Sequence, residues 1–441
     1  MNAPRIAYIC ADPGVPVFGK KGCSIHVQEV IRALRRRGAQ VQLFAARRDG
    51  NPPGDLRDLV VHTLPGPANC DRAERERAGQ RANAILAGLL QKARPFDFVY
   101  ERYSLWSFAG MDHARASGVP GLLEVNAPLI EEQATHRGLV DHAGAEDIAA
   151  RAFNHASALV AVSDEVATYL RARAGESCAV HVIPNGVNPE RFPQNLAPTW
   201  RWPENALKVK NLCIGFVGTL KPWHGVPALV EAFARLRDAF PNARLLIVGD
   251  GPERDALKTR VSELGLEGVT HFTGAVAAEQ IPGLLAAMDI AVAPYPRLER
   301  FYFSPLKVYE YMAAGLAVVA SRIGQLSEII HAGRNGLLCE PGDADDLATQ
   351  LLRLSGDAAL RVRLGDAARQ TIAVSHTWDH VAKRIFGITE SCRHTSIHSA
   401  ASASAPAPVA PVENRSDHPQ RGVAAIKGAR PLKPPARRVP V

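Results

Sequence analysis

The chain has 441 residues, enough for two or three domains, and its 46% hydrophobic content is typical of a soluble globular protein. No apolar run approaches the ~18 residues that a membrane-spanning helix needs. Of the formal net charge of +8, six charges belong to residues 392–441. The small charge of the remaining chain is therefore weak evidence for a nucleic-acid-binding protein.

The cysteines and the first residues predict a cytoplasmic protein. The seven cysteines are scattered, odd in number and never spaced as CxxC, which favours reduced thiols and argues against a zinc site. The start, MNAPRIAYICADPG, lacks the charged, apolar and small-residue zones of a signal peptide.

A glycine-rich loop joins the first predicted strand, residues 5–10, to the first predicted helix. The helix is indicated by apolar residues that recur on one face: Val27, Val30, Ile31 and Leu34. The loop carries Gly14, Gly19 and Gly22 but no GxGxxG, which speaks against a dinucleotide fingerprint. A flexible, lysine-bearing loop can close on a diphosphate or an acceptor, and a plain surface loop fits the sequence equally well.

Two further predicted strands end at polar side chains. Strand 98–101 is followed by Arg102 and strand 122–125 by Asn126, and substrate groups collect at such strand ends in α/β sheets. The Asn126 amide can bind a hydroxyl but cannot take a proton, and a turn before Pro128 also explains it. The next segment offers four more side chains to an acceptor: Glu131, Glu132, His136 and Arg137.

A second doubly wound set begins at Leu212, after a Pro- and Trp-bearing linker over residues 189–211. Its first strand is followed by the turn GTLKPWHG, which carries Lys221 and His224. For His224, phosphate contact and an ordinary surface position are equally consistent with the sequence. Alternating strands and helices then continue to about residue 375.

The stretch FSPLKVYEYMAAG, residues 303–315, lies between two apolar runs and predicts a helix between parallel strands. Ser304 is predicted to cap this helix, Pro305 to be its first residue and Gly315 to end it. A helix start beyond a strand's carboxyl end favours a bound diphosphate, and Lys307 adds a charge one turn in. Glu310 can accept from sugar hydroxyls, although a surface ion pair explains these two charges as well.

The segment SPLKVYEYMAAGLAVVAS resembles the donor-binding segment of the retaining glycosyltransferases of family 4, which have the GT-B fold. The resemblance covers roughly residues 5–390. It implies two Rossmann-like α/β domains that face each other across a cleft, with a C-terminal helix crossing back. The implied boundaries are 1–188 for the acceptor-side domain, 189–211 for the linker, 212–375 for the nucleotide-sugar domain and 376–391 for the crossing helix.

The resemblance also implies roles for individual residues. Glu310 matches the second of two family glutamates, which binds the donor ribose, while Tyr302 stands in place of the first. The implied donor-binding residues are Gly19, Gly22, Thr219, His224, Gly274, Arg300, Ser304 and Glu310. Thr219, His224 and Asn126 replace a family arginine, lysine and histidine. Lys221 can restore one of the missing charges, and Arg300 or Lys307 can supply another. Basic helices of related enzymes dock on anionic membranes, and the candidates here are Arg72, Arg75, Arg77 and Arg81.

Two features near the C-terminus are not assigned to the active site. The DxD of Asp343 and Asp345 directly precedes a predicted helix, so capping accounts for it better than a metal site does. Residues 392–441 are basic, rich in Ala, Ser and Pro and poor in large apolar side chains, so we expect them to be disordered.

These observations predict an enzyme that moves a sugar from a nucleotide-sugar to a hydroxyl of a glycan or lipid-linked acceptor, with retention and without a metal or other cofactor. Catalysis is assigned to Lys307, Lys221 and Asn126, and acceptor binding to Arg102, His136 and Arg137. Two alternatives remain open: a nucleotide-sugar epimerase on the same fold, and a degenerate scaffold protein. The expected location is the cytoplasm or the inner face of the membrane, without a nucleic-acid partner.

Overall fold

The structure is a computed structural model that describes residues 3–65, 70–175, 178–202 and 211–403. Within residues 1–396, which form one compact unit, there are two parallel sheets. We call residues 5–182 the first lobe and residues 212–375 the second lobe. The predicted linker falls partly outside the described residues, at positions 203–210.

The first lobe contains a seven-stranded parallel sheet in the order β3-β2-β1-β4-β5-β6-β7. Its strands are β1 Arg5–Cys10, β2 Gln40–Ala45, β3 Val60–Thr63, β4 Phe98–Arg102, β5 Gly121–Val125, β6 Ala158–Ala161 and β7 Ala179–Val182. Its described helices are α1 Gly22–Arg36, α2 Arg72–Ala93, α3 Ala109–Ser117, α4 Leu129–His136, α5 His142–His155 and α6 Asp164–Arg171.

The second lobe contains a six-stranded parallel sheet in the order β10-β9-β8-β11-β12-β13. Its strands are β8 Leu212–Val217, β9 Ala243–Val248, β10 Thr270–Phe272, β11 Ile290–Ala293, β12 Ala317–Ser321 and β13 Leu337–Cys339. Its described helices are α7 Val226–Ala239, α8 Arg254–Glu263, α9 Ile281–Leu285, α10 Leu306–Ala313, α11 Leu326–Ile329, α12 Ala344–Gly356 and α13 Ala358–Ser375.

Each sheet is covered by apolar side chains on both faces, as a doubly wound fold requires. Along β1, Ile6, Tyr8 and Cys10 belong to one buried cluster while Ala7 and Ile9 belong to the cluster on the opposite face. This alternation follows from the two-residue period of a strand. The predicted fold class is therefore confirmed.

The C-terminal helix, α14 Trp378–Ala403, returns to the first lobe. Its apolar stripe joins the β1 cluster through Trp378, Val381, Ala382, Ile385 and Ile388. This confirms the crossing helix that the resemblance implied. The helix extends to Ala403 and so overlaps the first residues of the segment 392–441, whose expected disorder stays a prediction. The tail beyond Ala403 lies outside the described residues.

Strand order reverses between β1 and β4 in the first sheet and between β8 and β11 in the second. Loops that leave the carboxyl ends of such a strand pair diverge, and the crevice between them is where α/β proteins bind ligands. We call these two places the first and second switch points. No helix among the described residues is both long enough and apolar enough to cross a bilayer.

Candidate functional site

The second switch point brings the turn after β8 against helix α10. Gly218 has φ +151°, and a Cβ atom there would lie 2.7 Å from Nζ of Lys307. The positive φ favours glycine here, and the missing side chain leaves room for the amino group of Lys307. The phenyl ring of Phe216 lies 4.4 Å, and the Tyr295 ring 5.3 Å, from the same Nζ atom, measured to the ring centroids.

The amino group of Lys307 is buried and has no hydrogen-bond partner among the described residues. Burial lowers the pKa of Lys307 to about 7. Aromatic faces attract a cation, but they do not replace the hydrogen bonds that an ammonium group forms in water. A buried lysine without a carboxylate is the environment in which an anionic ligand gains most from binding.

The start of helix α10 is also without a side-chain cap. Pro305 is its N-cap residue and Leu306 its first residue, so the predicted positions of Ser304 and Pro305 are wrong by one. Ser304 is buried and contacts the segment that follows the first lobe instead: its Oγ accepts from Asn185 N at 3.1 Å and its carbonyl accepts from Asn185 Nδ2 at 2.8 Å. Gly315, at φ +71°, follows the helix as predicted. The first backbone amides of α10 lack side-chain acceptors and are available to an anion.

His224 is neutral at this site. Burial, followed by the nearby charge of Lys307, lowers the pKa of His224 to about 4. Its Nδ1 contacts the carbonyl oxygen of Thr219, so Nδ1 carries the proton and Nε2 is an acceptor. A neutral ring in this tautomer cannot donate from Nε2 to a phosphate. The remaining cations predicted here are Lys221, whose Nζ lies 5.4 Å from the Trp223 ring centroid, and the exposed Arg300.

Glu310 lies one turn further along α10 and is paired with Arg191, not with Lys307. Arg191 Nη1 lies 3.2 Å from Glu310 Oε1, and Arg191 Nη2 donates to the Ala278 carbonyl at 2.7 Å. Burial raises the pKa of Glu310, while Arg191 acts in the opposite direction. No sequence pattern pointed to Arg191, because only folding brings its segment beside α10. Gly274 lies at the same edge, where its carbonyl accepts from Gly249 N at 3.1 Å.

The glycine-rich loop of the first lobe faces this site. Gly22 is the first residue of α1, and a Cβ atom there would lie 3.7 Å from Cδ1 of Leu306 on α10. The loop is not a loosely attached surface segment, since the Gln28 side chain donates to the carbonyls of Val17 at 2.9 Å and Gly19 at 3.1 Å.

Arg102 and Asn126 belong to a buried polar cluster below that loop. Arg102 Nη1 contacts His26 Nδ1 at 2.8 Å, and His26 Nε2 lies 3.0 Å from Glu124 Oε1. Burial, then the Arg102 charge, lowers the pKa of His26, while burial raises the pKa of Glu124 against the opposing effect of Arg102. Trp378 stacks on His26 at a centroid distance of 5.2 Å. The side chain of Asn126 lies beside Glu124 and, like Arg102, acts to lower the pKa of that carboxyl.

A cavity of about 360 Å³ opens at the first switch point. It is bounded by the loops after β1 and β4 and by helices α2 and α4. Of the three predicted acceptor residues, Arg137 lines the cavity whereas Arg102 and His136 do not. The exposed His136 instead lies across from Trp223 of the second lobe, with the ring centroids 6.5 Å apart. The contribution of α2 to the cavity was not predicted from the sequence.

Tyr302 connects the cavity to the second lobe. Its hydroxyl donates to Glu132 Oε2 at 3.3 Å, and Glu132 lines the cavity. Its carbonyl accepts from Ser163 Oγ at 2.6 Å. The residue that replaces a family glutamate therefore lies between the two switch points and contacts both lobes.

The described residues contain no group of three His, Cys, Asp or Glu side chains that could hold a metal ion. Asp343 of the DxD accepts from the backbone amides of Asp345 at 2.9 Å and Asp346 at 3.0 Å. This confirms its predicted role as the cap of α12.

Comparisons with known proteins give a match on each lobe. Residues 21–191 match the family model described as Glycosyltransferase Family 4, and residues 211–357 match the model described as Glycosyl transferases group 1. The chain is also similar to the D-inositol 3-phosphate glycosyltransferase of Corynebacterium jeikeium (strain K411). That relative is 27% identical over 395 residues, which are 84% of this chain and 91% of the relative.

Solved structures show the same architecture. Sucrose-phosphate synthase from Thermosynechococcus elongatus matches with a TM-score of 0.68 and 21% identity, over 90% of this chain and all of that chain (100%). Anabaena Alr3699/HepE in complex with UDP matches with a TM-score of 0.66 and 22% identity, over 88% of this chain and 100% of that chain. The chain is a glycosyltransferase with the GT-B fold.

Proposed function

We propose that the protein transfers a sugar from a nucleoside diphosphate sugar to a hydroxyl group of a glycan or lipid-linked acceptor, with retained anomeric configuration. The donor binds at the second switch point and the acceptor at the first. One observation carries the proposal: the amino group of Lys307 is buried, unpaired among the described residues and adjacent to an uncapped helix start.

The diphosphate is bound by Lys307, Lys221 and the first amides of α10 in this proposal. These donors lie where negative charge grows as the sugar–phosphate bond breaks, so they stabilise the leaving group in the transition state. Their charge replaces that of a metal ion, and the proposal needs no cofactor. Anion binding also restores to Lys307 the hydrogen bonds that it lost on burial.

The nucleoside half of the donor is assigned to the other end of the site. Glu310 offers Oε2 to the ribose hydroxyls, because Arg191 bonds Oε1 and orients the carboxylate. The base of the nucleotide is assigned to backbone groups near Gly274, so main-chain contacts decide which base binds. HepE has been crystallised with UDP, so UDP is the first nucleotide to test.

Asn126 and the glycine-rich loop are assigned to the transferred sugar, between the two switch points. The Asn126 amide lies beside Glu124 and carries both a donor and an acceptor that a sugar hydroxyl can use. We place the reaction in the cytoplasm or at the inner face of the membrane, in synthesis of a cell-surface polysaccharide or lipid-linked glycan.

The proposal is tested with Lys307→Ala and, as a matched control, Lys258→Ala, which removes an exposed lysine on α8 of the same lobe. UDP, GDP, ADP and their glucose conjugates are screened by thermal shift, and transfer is followed with the conjugate that binds. We expect Lys307→Ala to lower turnover by about 10²–10³-fold and to abolish the nucleotide-induced shift, since removing one such donor has this effect.

Near-normal transfer by Lys307→Ala would remove this lysine from the mechanism, and absence of nucleotide binding by the unaltered chain would contradict the whole proposal. Product formed from the donor without any acceptor would indicate the epimerase alternative. The Lys258→Ala variant should behave as the unaltered chain does.

A further inference from the structure

We propose that the cavity at the first switch point selects an acceptor that carries an anionic group, a phosphate or a carboxylate, beside its hydroxyl-bearing ring. This inference rests on the proposed function and adds the chemical class of the acceptor. It follows from which charges around the cavity are already paired and which are not.

The floor of the cavity suits a ring. Leu64, Leu86 and Leu105 line it together with Trp106. A Cβ atom at Gly79 would lie 3.0 Å from Cβ and Cδ1 of Trp106, so this glycine lets the indole lie close against α2. Aromatic and aliphatic surfaces pack against the apolar face of a sugar or cyclitol, and the volume of about 360 Å³ is at the small end of ligand sites.

The carboxylates that line the cavity each accept at least one hydrogen bond from within the protein. Both oxygens of the buried Glu76 accept backbone amides, from Val140 and Asp141, at 2.9 Å each. Asp12 Oδ1 accepts from Gly14 N at 2.7 Å. Glu132 accepts from Tyr302, and its other oxygen lies 3.5 Å from Arg137 Nη2.

Two arginines at the cavity, Arg72 and Arg75 of α2, have no ion-pair or hydrogen-bond partner among the described residues. The other two arginines of the same segment, Arg77 and Arg81, are both paired with Glu74, which does not line the cavity. Away from the cavity one carboxylate thus offsets part of the positive charge of α2, whereas the two guanidinium groups beside the cavity have no carboxylate partner among the described residues. Arg72 and Arg75 are three residues apart, on one face of the helix, so both can contact one anion.

The pairing also disfavours a membrane as the target of α2. Polybasic segments that bind anionic lipid present about four to eight free cations, whereas two of the four arginines expected to do so here are paired with Glu74. The two guanidinium groups border a concave site that is also lined by Glu132, which is bonded to Tyr302 of the donor-side segment. An acceptor bound there has its anion at α2 and its ring toward the site of transfer.

The test uses the full chain and three probes that differ in one group: glucose, glucose 6-phosphate and glucuronate. Each is titrated with UDP present and at fixed ionic strength, by saturation-transfer NMR or calorimetry. The variant Arg72→Ala/Arg75→Ala is compared with Lys92→Ala/Arg115→Ala, which removes two exposed charges from the same lobe without touching the cavity. UDP binding by each variant is measured in parallel.

We expect at least one anionic probe to bind about tenfold or more tightly than glucose, because hydrogen bonds between charged groups are the strong ones. The cavity variant should lose this preference while the control variant keeps it. Phosphate and carboxylate are distinguished by which probe binds. Tight binding of the unaltered chain to phosphatidylglycerol vesicles that is lost in the cavity variant would instead assign these arginines to a membrane.

The inference is overturned if both anionic probes bind no better than glucose, or if the control variant loses the preference to the same extent. A chain that binds UDP but shows no anion preference keeps the proposed function and loses only this inference. A chain that does not bind UDP loses the proposed function first.

Discussion

The two lobes each hold a cation just beyond their switch point, and the two cations have opposite surroundings. Arg102 in the first lobe is linked through His26 to the carboxylate of Glu124. Lys307 in the second lobe has aromatic rings and a glycine around it but, within the described part of the chain, no carboxylate and no hydrogen-bond acceptor. One buried charge is compensated by the fold, and the other is not.

This difference separates a structural cation from a ligand-binding one. A buried ion pair contributes little net stability, but removing one partner leaves the other charge buried and unpaired. Removing a buried cation that has no partner leaves no other charge unpaired. Such a cation acquires an opposite charge only when a ligand binds. We therefore interpret the Arg102 cluster as part of the scaffold below the glycine-rich loop, and Lys307 as the anion site.

The distinction between the two cations is tested most directly by removing each of them in turn. Arg102→Met should destabilise the chain by about 3–5 kcal/mol, because Glu124 is left without a compensating charge. Lys307→Met should leave stability unchanged or raise it, since it deletes a poorly solvated amine and leaves no other charge unpaired. Urea denaturation measures both. Equal losses of stability in the two variants would contradict the distinction.

The pH dependence of nucleotide binding is a second test of the distinction between the two cations. Burial gives Lys307 a pKa of about 7 in the free protein, and a bound diphosphate raises this pKa by favouring the charged form. At a pH between the pKa of Lys307 in the free protein and its pKa in the complex, binding of the nucleotide takes up a proton. The affinity for UDP should therefore fall about tenfold per pH unit above pH ~7. Calorimetry in buffers of different ionisation enthalpy detects this proton uptake.

Lys307→Arg is the control for that experiment, since a guanidinium stays charged throughout the range and should give a flat profile. A sloping profile in this variant would assign the titration to another group. The histidine at the site does not interfere, because the pKa of His224, lowered to about 4, leaves the ring neutral over the whole range.

The smallest expected effect concerns the contact that joins the two switch points. Tyr302→Phe keeps the ring and removes the hydroxyl that donates to Glu132. A hydrogen bond to a partly buried carboxylate contributes about 1–2 kcal/mol, so KM for the acceptor should rise several-fold. Donor binding should be unaffected, because Glu132 lies at the acceptor cavity. A change in UDP affinity with no change in acceptor KM would show that Tyr302 serves the donor instead.

The two parallel sheets and the order of their elements could be predicted from local sequence patterns. Strand β1 begins and ends where the first apolar run predicts, and α10 begins within one residue of its predicted start. These features are local, because the two-residue and 3.6-residue periods are visible in any short window of the chain. Lys307 was also identified locally, from a lysine in the first turn of a helix that follows a parallel strand.

Local sequence patterns could not predict which charged side chains have a partner, because this depends on the packed structure. Arg191 and Glu310 are 119 positions apart in the chain, and Tyr302 and Glu132 are 170 apart, so no local pattern links them. The burial of Lys307 depends on Gly218 and two aromatic rings from other segments. Whether a charge is compensated depends on distance in space and on exclusion of water, and both are set when distant segments pack together.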